Sequence, residues 1–264
     1  ITAEIVELLV TECSEGFDWT DISPTIFGAI FESTLNPETR RSDGMHYTSI
    51  ENIHKVIDPL FLDDLQTEFQ TIQDIKVKRT RNDRLRAFQQ KLASLRFLDP
   101  ACGSGNFLTE TYLSLRRIEN EVISLLNDGS MVLDLDNPIH VSISQFYGIE
   151  INDFAVTVAK TALWIAESQM MEETESIVRM QLDFLPLTTN AFIHEGNALR
   201  MDWKEILPPS DDVKIFGNPP FVGGMMTTDA QKEDMKAVWG KVRGLGELDY
   251  VTAWYKKTVE YMKG

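Results

Sequence analysis

The sequence predicts an α/β fold in which a helical segment, residues 1–92, precedes a doubly wound parallel sheet, residues 93–264. Helix-start residues followed by apolar stretches occur up to about residue 92. From residue 95 onward, short apolar runs alternate with helical stretches, and repeated β-α units favour a parallel sheet with helices on both faces. With 264 residues, 43% of them hydrophobic, the chain is long enough for one sizeable core.

Three helices are predicted in the N-terminal segment. The first starts at Ser23-Pro24, because proline suits the first turn of a helix, and Ser49 caps the second. Pro59 lies inside the second helix, and it either kinks that helix or ends it. The apolar body of the first helix, the polar break after it, the second helix and the third helix cover residues 25–31, 36–44, 50–62 and 65–92.

Four strands with intervening helices are predicted in the second part. The strands cover residues 95–99, 145–150, 191–195 and 213–216. Helices cover residues 106–126 and 248–262, while residues 127–138 and 172–190 are interpreted as excursions between units. The helix after the second strand packs close to the sheet through a stripe of mostly small residues, namely Ala155, Val158, Ala159, Ala162, Leu163 and Ala166. Because four strands make a thin sheet, we expect either that this domain is incomplete at its C-terminus or that the edge of the sheet is completed otherwise.

The charge of the chain is strongly acidic. Its formal net charge is -16, with 41 acidic and 25 basic residues, which argues against a large nucleic-acid footprint on this segment. One basic stretch opposes the trend, and it is interpreted as a solvated helical face or connector. Its members are Lys76, Lys78, Arg79, Arg81, Arg84 and Arg86.

No run of about 18 apolar residues is present, so the sequence predicts no membrane-spanning helix and no membrane partner. The chain begins with Ile and has no signal-peptide pattern, which favours a piece of a longer cytoplasmic protein. Its two cysteines, Cys13 and Cys102, do not have the spacing of metal ligands. These features predict a reducing compartment and no metal site.

The first strand leads into a glycine-rich turn, Asp-Pro-Ala-Cys-Gly-Ser-Gly-Asn-Phe, at residues 99–107. Gly103 and Gly105 permit positive φ and close approach of the backbone to a ligand. The turn lacks both the G-x-G-x-x-G pattern of a dinucleotide site and the Lys-Ser/Thr of a phosphate loop. Asp99 therefore suits a cationic or amine-bearing ligand better than a phosphate, and a tight turn without a ligand is the alternative.

Polar residues also end the next two strands. Glu150 is placed to accept hydrogen bonds from ribose hydroxyls, or it is an acidic residue at a helix N-terminus, where the macrodipole favours negative charge. Asn197 can bind the edge of an adenine, or it is an ordinary turn residue. Taken singly, both residues leave the two interpretations open.

The fourth strand runs into the segment Asn-Pro-Pro-Phe at residues 218–221, called here the NPPF segment. Each proline fixes φ and lacks an N–H, so the two stop the strand and make a rigid exit. The segment offers an amide, free carbonyl oxygens and an aromatic face, which can hold a planar molecule with an exocyclic amine. A proline-rich strand exit with a packed Phe is the alternative. Because ligands bind at the carboxyl ends of parallel strands, polar residues after all four strands favour a binding site.

Residues 99–107 resemble motif I, and the NPPF segment resembles motif IV, of amino-methylating DNA methyltransferases. The order of the two motifs resembles the γ class of adenine-N6 enzymes, and Gly-Met-His-Tyr-Thr at residues 44–48 resembles their motif X. The similarity covers about residues 20–264 and indicates the methyltransferase modules of type IIG (MmeI-like) restriction-modification enzymes and related phage-defence methylases. It implies a Rossmann-like class I S-adenosylmethionine-dependent methyltransferase sheet, preceded by a helical segment that carries motif X.

The resemblance implies S-adenosyl-L-methionine as the cofactor and indicates the residues that hold it. Tyr47 and Thr48 would flank the methionine moiety, and Asp99 would face its amino group. The remaining assigned residues are Ala101, Gly103 and Gly105 in the turn, Glu150 at the ribose, Ile151 against the adenine, and Asn197 and Ala198 at the adenine edge. Position 197 is often Asp in relatives, and Asn keeps an acceptor there while removing a charge.

The resemblance further implies site-specific methylation of adenine N6 in DNA, with Asn218, Pro219, Pro220 and Phe221 as the catalytic segment. The target adenine would leave the duplex, which costs a few kcal/mol of unpairing and unstacking, and would stack on Phe221. The Asn218 amide oxygen and the Pro219 carbonyl would accept hydrogen bonds from the N6 amine and direct its lone pair at the methyl group. This mechanism requires no metal and no covalent intermediate.

Double-stranded DNA is the implied partner, mainly through a target-recognition domain outside this chain. We therefore expect the isolated chain to bind the cofactor weakly or moderately and to bind DNA with little sequence specificity. Two alternatives stay open. A similar Asn-Pro-Pro-aromatic segment serves glutamine methylation in release factors and some RNA-guanine methylases, although the helical segment with motif X favours DNA. The chain could also be a non-catalytic cofactor-binding piece of a larger complex.

Overall fold

A four-stranded parallel sheet lies between two layers of helices in the described part of this computed structural model. The residues described are 2–8, 10–12, 23–26, 48–127, 138–179, 182 and 190–263. The strands are β1 (Arg96–Asp99), β2 (Phe146–Glu150), β3 (Phe192–Glu195) and β4 (Val213–Ile215), in the order β3-β2-β1-β4. The predicted doubly wound α/β fold is confirmed.

The helices precede and follow these strands in the expected alternation. They are α1 (Ala3–Leu8), α2 (Ile50–Ile57), α3 (Asp63–Gln73), α4 (Lys78–Ser94), α5 (Asn106–Asn127), α6 (Asp153–Val178), α7 (Trp203–Ile206), α8 (Asp229–Trp239) and α9 (Thr252–Met262). In the described part of the chain, none of the helices is both long enough and apolar enough to cross a membrane.

The sheet has an apolar core on each face. Successive side chains of a strand point to opposite faces, so Phe97 enters the core shared with α2 to α6, and Leu98 enters the core shared with α7 to α9. Phe97 stacks on Phe146 of β2, with ring centroids 5.0 Å apart. It also lies 6.1 Å from Phe216, the residue after β4. The central strand β1 is therefore packed on both sides and gives the site a rigid base.

The N-terminal helices are divided differently from the prediction. α2 ends at Ile57, and the chain continues through a π-helical turn, Asp58–Leu62, directly into α3. Pro59 lies in this turn. Proline has no N–H to donate, and the wider π-helical winding tolerates the missing hydrogen bond. The predicted helix over residues 65–92 is wrong as a single element, because the chain turns at residues 74–77. The turn lets α3 and α4 pack together, with Phe69 stacked on Phe88 at 5.7 Å.

Further differences concern the ends of elements. α6 continues to Val178, so the excursion predicted from residue 172 starts too early; buried Met170, Thr174 and Val178 keep that part of the helix in the core. The last helix starts at Thr252 rather than residue 248, and helices α7 and α8 were not predicted. Residues 27–31 of the predicted first helix and the break at 36–44 lie outside the described residues. The domain division at residues 92 and 93 stays a prediction.

Candidate functional site

The candidate site lies at the carboxyl edge of the sheet, where the strand order reverses. From β1 the chain first adds β2 and β3 on one side, and it then returns to place β4 on the other side. Leu98 of β1 pairs with Ile215 of β4, so the residues that follow these two strands leave the sheet side by side. Such a switch point forms the crevice in which open α/β sheets bind ligands.

Asp99 lies at the base of this crevice. Its side chain is buried, and its Oδ1 accepts a hydrogen bond of 3.0 Å from the backbone N–H of Ala101. The turn after β4 presses against it from the other side: a Cβ on Gly217 would lie 2.3 Å from Asp99 Oδ1, and Gly217 has a φ of 147°. Only glycine fits there, so the residue before the NPPF segment is in direct contact with the predicted cofactor aspartate.

The surroundings of Asp99 hold its proton unusually tightly. Burial raises its pKa to about 7, the Ala101 N–H opposes the shift, and the nearby Glu150 carboxylate raises the pKa further. Burial, together with the same two carboxyl groups, raises the pKa of the Cys102 thiol well above its usual value. Asp99 can therefore gain or lose a proton near neutrality, and a cationic ligand group would favour its ionised form.

Glu150 joins the end of β2 to the glycine-rich turn. Its Oε2 accepts a hydrogen bond of 2.9 Å from the Gly103 N–H, and its Oε1 accepts one of 2.9 Å from the Asn152 N–H. The next residue, Ile151, is 66% exposed although it is apolar. This pairing of a fixed carboxylate with an uncovered aliphatic side chain is the arrangement expected for a ribose and a purine ring.

The two glycines with positive φ in the turn have different surroundings. Gly103 has a φ of 54°, and a Cβ built on it would meet nothing within 4 Å. Gly105 has a φ of 80°, and its Cβ would lie 2.9 Å from Cβ of Ala159 on α6. Gly103 thus faces open space where a ligand can approach, whereas Gly105 permits close packing of α6 against the turn.

Asn197, after β3, is held by one residue of its own turn and one residue distant in sequence. Its Oδ1 accepts a hydrogen bond of 2.9 Å from the Leu199 N–H, and its Nδ2 donates one of 2.9 Å to Asp234 on α8. The side chain of the neighbouring Ala198 is buried in the core, and its carbonyl accepts a bond of 2.8 Å from the Trp203 indole N–H. The side chain of Ala198 is therefore not available to a ligand.

The NPPF segment is uncovered at both ends. Asn218 is exposed, and its Nδ2 donates a 3.3 Å hydrogen bond to Oγ1 of Thr48, which joins two predicted site residues 170 positions apart. The two prolines are half-buried, and Phe221 is 67% exposed. An amide oxygen and an aromatic face are thus available on the same rigid segment. Tyr47, the other predicted motif X residue, lies outside the described residues.

The exit of the segment is fixed by residues that sequence reasoning missed. Oδ1 of Asp249 accepts hydrogen bonds from the N–H groups of Val222 and Val251, at 3.1 and 3.0 Å. On α9, the Trp254 indole N–H donates a 3.0 Å bond to the Pro100 carbonyl in the glycine-rich turn. The last helix and the residues just before it therefore support both halves of the site.

Asp234 is the third residue missed, and its helix had a recognisable start. Thr228 and Gln231 form a capping box, with Thr228 Oγ1 accepting from the Gln231 N–H and Gln231 Oε1 accepting from the Thr228 N–H. The Thr-x-x-Gln pattern is visible in the sequence and could have indicated α8. Among the described residues, no three His, Cys, Asp or Glu side chains are grouped as metal ligands would be.

Comparison with known proteins gives similarities over more than half of the chain in each case. Residues 74–264 match the family described as "MmeI, DNA-methyltransferase domain". The chain is 42% identical to DNA methyltransferase A of Bacillus subtilis (strain 168) over 256 residues, which cover 96% of this chain and 28% of that protein. It is 27% identical, over 177 residues, to a putative type II restriction enzyme and methyltransferase of Methanocaldococcus jannaschii, covering 58% of this chain and 15% of that protein.

A solved structure extends the similarity to three dimensions. The type IIL restriction-modification enzyme MmeI, determined in complex with DNA, superimposes with a TM-score of 0.88 and 40% sequence identity. The match covers 100% of this chain and 34% of that enzyme. The chain thus spans about a third or less of the length of these relatives.

Proposed function

Because this chain belongs to the family of MmeI DNA-methyltransferase domains, we propose that it is the catalytic core of a larger restriction-modification or phage-defence enzyme that methylates adenine N6 in double-stranded DNA. The methyl donor is S-adenosyl-L-methionine. One observation carries the proposal: the NPPF segment leaves β4 at the switch point of the sheet, in contact with Asp99 through Gly217, with Asn218 and Phe221 exposed. Cofactor and base can therefore approach each other from the two sides of one crevice.

The cofactor would lie along the carboxyl ends of β1, β2 and β3. Asp99 would attract the methionine ammonium, and the open side of Gly103 would let the cofactor approach the peptide backbone closely. Glu150 would accept hydrogen bonds from the ribose hydroxyls. Ile151 would cover one face of the adenine, and Asn197 would bind its edge. Thr48 and Tyr47 would flank the methionine end.

The flipped adenine would be held by the NPPF segment. Phe221 would stack on the ring and offset part of the unstacking cost. Because the Asn218 Nδ2 donates to Thr48, the Asn218 amide oxygen is left to accept from the N6 amine, together with the Pro219 carbonyl. Two acceptors would favour the tetrahedral amine, whose lone pair would attack the methyl group in line. The bond between the methyl carbon and the sulfonium sulfur would break, S-adenosylhomocysteine would leave, and the methylated N6 would release a proton to solvent. The rate enhancement would come from positioning and electrostatic preorganisation.

Replacement of the amide tests this proposal in the full-length protein. We expect Asn218→Ala to lower the methylation rate by about a hundredfold or more, because one of the two acceptors is lost, while calorimetry shows unchanged cofactor binding. Asn52→Ala, which removes an exposed amide from α2, is the matched control. Normal methylation by Asn218→Ala would show that this residue has no catalytic role.

The identity of the substrate needs a separate experiment. With tritiated cofactor, we expect transfer to plasmid DNA and not to protein or RNA. Mass spectrometry of the hydrolysed DNA should then give N6-methyladenine. Label on another base would correct the adenine assignment, and label on protein or RNA would overturn the choice of DNA.

A further inference from the structure

Asp234 is a buried carboxylate of α8 to which the proposed mechanism gives no role. Its Oδ2 accepts hydrogen bonds from Asn197 Nδ2 at 2.9 Å and from the Tyr250 hydroxyl at 2.8 Å. Its Oδ1 accepts a hydrogen bond of 2.6 Å from Arg200 Nε. All three partners are donors, so the carboxylate joins α8, the turn after β3 and the residues before α9.

These contacts fix the direction of the Asn197 amide. A carboxylate can only accept, so Asp234 requires Nδ2 of Asn197 to face it. The Leu199 N–H can only donate, so it requires Oδ1, which lies 2.9 Å away. Both neighbours demand the same orientation, whereas an amide with ambiguous partners can be placed either way. An aspartate at position 197 would place a second carboxylate against Asp234.

An amide held in this way retains one N–H and one acceptor lone pair on its free edge. A side-chain amide presents donor and acceptor side by side, which matches the amine and the adjacent ring nitrogen of an adenine. A carboxylate could accept from the amine but would repel the lone pair of the ring nitrogen. Asn197 is half-buried and follows β3 at the ligand edge of the sheet, so its free edge can reach a bound purine.

We propose that Asp234 is a positioning residue for the cofactor, which orients Asn197 so that its amide recognises both the amine and the adjacent ring nitrogen of the adenine in S-adenosylmethionine. This inference rests on the proposed function, because it requires an adenosyl cofactor at the carboxyl ends of the strands. Asp234 itself does not touch the ligand. Its effect is to make Asn, rather than Asp, the suitable residue at position 197.

A pair of ligands separates recognition from folding. S-adenosylhomocysteine carries the adenine amine and an unprotonated N1 beside it. S-inosylhomocysteine carries a carbonyl oxygen in place of the amine and a proton on N1. We expect wild-type full-length protein to prefer the adenosyl ligand in calorimetry and Asp234→Ala to reduce that preference about tenfold, the equivalent of about 1.4 kcal/mol. If Asp234 had a purely structural role, Asp234→Ala would lower the affinity for both ligands equally, and that result would overturn the proposal.

Exchange of the two side chains gives a second test that keeps the network intact. Asn197→Asp alone should weaken S-adenosylhomocysteine binding strongly, because two carboxylates then face each other. Adding Asp234→Asn restores a donor opposite an acceptor, so the double variant should regain about tenfold in affinity. If Asp234→Asn fails to improve Asn197→Asp, the two residues are not coupled and the proposal is wrong. This test also decides the matter if Asp234→Ala does not fold.

The control is Asp229→Asn on the same helix, where the carboxylate is exposed and pairs with Lys232. It should leave the preference between the two ligands unchanged. Wild-type protein that binds neither ligand would refute the proposed function and this inference together. Wild-type protein that prefers S-adenosylhomocysteine, with no change in preference in Asp234→Ala, would refute the inference alone.

Discussion

Asp99 combines three structural roles at one carboxyl group. It accepts the hydrogen bond that closes the glycine-rich turn, it contacts Gly217 before the NPPF segment, and it lies within the electrostatic influence of Glu150. A group so placed lies between the proposed cofactor side and the proposed base side of the crevice. Its charge is therefore a property that the whole site depends on.

The pH dependence of stability should report this charge. The pKa of Asp99 is raised from 3.8 to about 7, so between these values the folded protein holds a proton that the unfolded chain has released. The contribution of Asp99 to the free energy of unfolding therefore falls as pH rises from about 4 to about 7. In urea titrations without cofactor, we expect wild type to lose stability relative to Asp99→Asn by up to about 1.4 kcal/mol per pH unit.

Asp211→Asn, at an exposed site before β4, is the control for a simple change of surface charge. It should follow wild type across the same pH range. Parallel curves for wild type and Asp99→Asn would mean that Asp99 is ionised throughout and that its burial does not perturb it.

Local sequence patterns indicate the side chains that we propose to touch a ligand, but not those that hold them in place. Asp99, Glu150 and Asn218 each follow or end an apolar run, and that position alone indicates the ligand edge of a sheet. Asp234 and Trp254 hydrogen-bond to Arg200 and Pro100, respectively. These partners lie in turns 34 or more positions away in the sequence. Their roles depend on how α8 and α9 pack, which no local pattern contains.

At the scale of elements, the sheet followed from sequence because each short strand is apolar and ends in a turn residue. The helices were less predictable, because continuous helical propensity does not show where a chain must fold back. Residues 65–92 favour helix throughout, yet burying both Phe69 and Phe88 in one core requires the break between α3 and α4. Tertiary packing overrides local preference there.

The glycine-rich turn allows a prediction about how elements meet. Gly103→Ala should lower stability by about 1–2 kcal/mol, the cost of a left-handed residue with a side chain. Gly105→Ala should cost about 1–3 kcal/mol more, because its methyl group would overpack against Ala159 on α6. Urea unfolding of both variants measures the difference.

Among the variants that remain folded, Gly103→Ala should lower cofactor affinity more than Gly105→Ala, although it should cost less stability. The Gly103 methyl group would enter the space that a ligand needs, whereas the Gly105 methyl group points into α6. Gly103→Ala with unchanged affinity would place the cofactor away from this turn. Equal stability of the two variants would mean that α6 yields to the methyl group at little cost.

At the scale of the whole molecule, the site connects the two cores of the sheet. Phe97 and Phe216 lie in the core under α2 to α6, while Trp254 and Tyr250 lie in the core under α7 to α9. Asp99 and Gly217 sit between them, since they follow strands that are packed on both faces. Helix α9 therefore contributes to the site through the second core, although its own side chains lie far from β1 in sequence.

The charge of the chain leads to a prediction about DNA. A net charge of -16 repels phosphates, and productive binding must place cations near several of them. Fluorescence anisotropy should therefore show weak binding of duplex DNA by residues 1–264 alone, with affinities for different sequences within a few-fold of each other. The same chain should still bind S-adenosylhomocysteine, because the proposed cofactor site is built from residues of this chain. Tight, sequence-selective binding by this chain would mean that the basic residues at the start of α4, including exposed Arg79, Arg84 and Arg86, contact DNA directly.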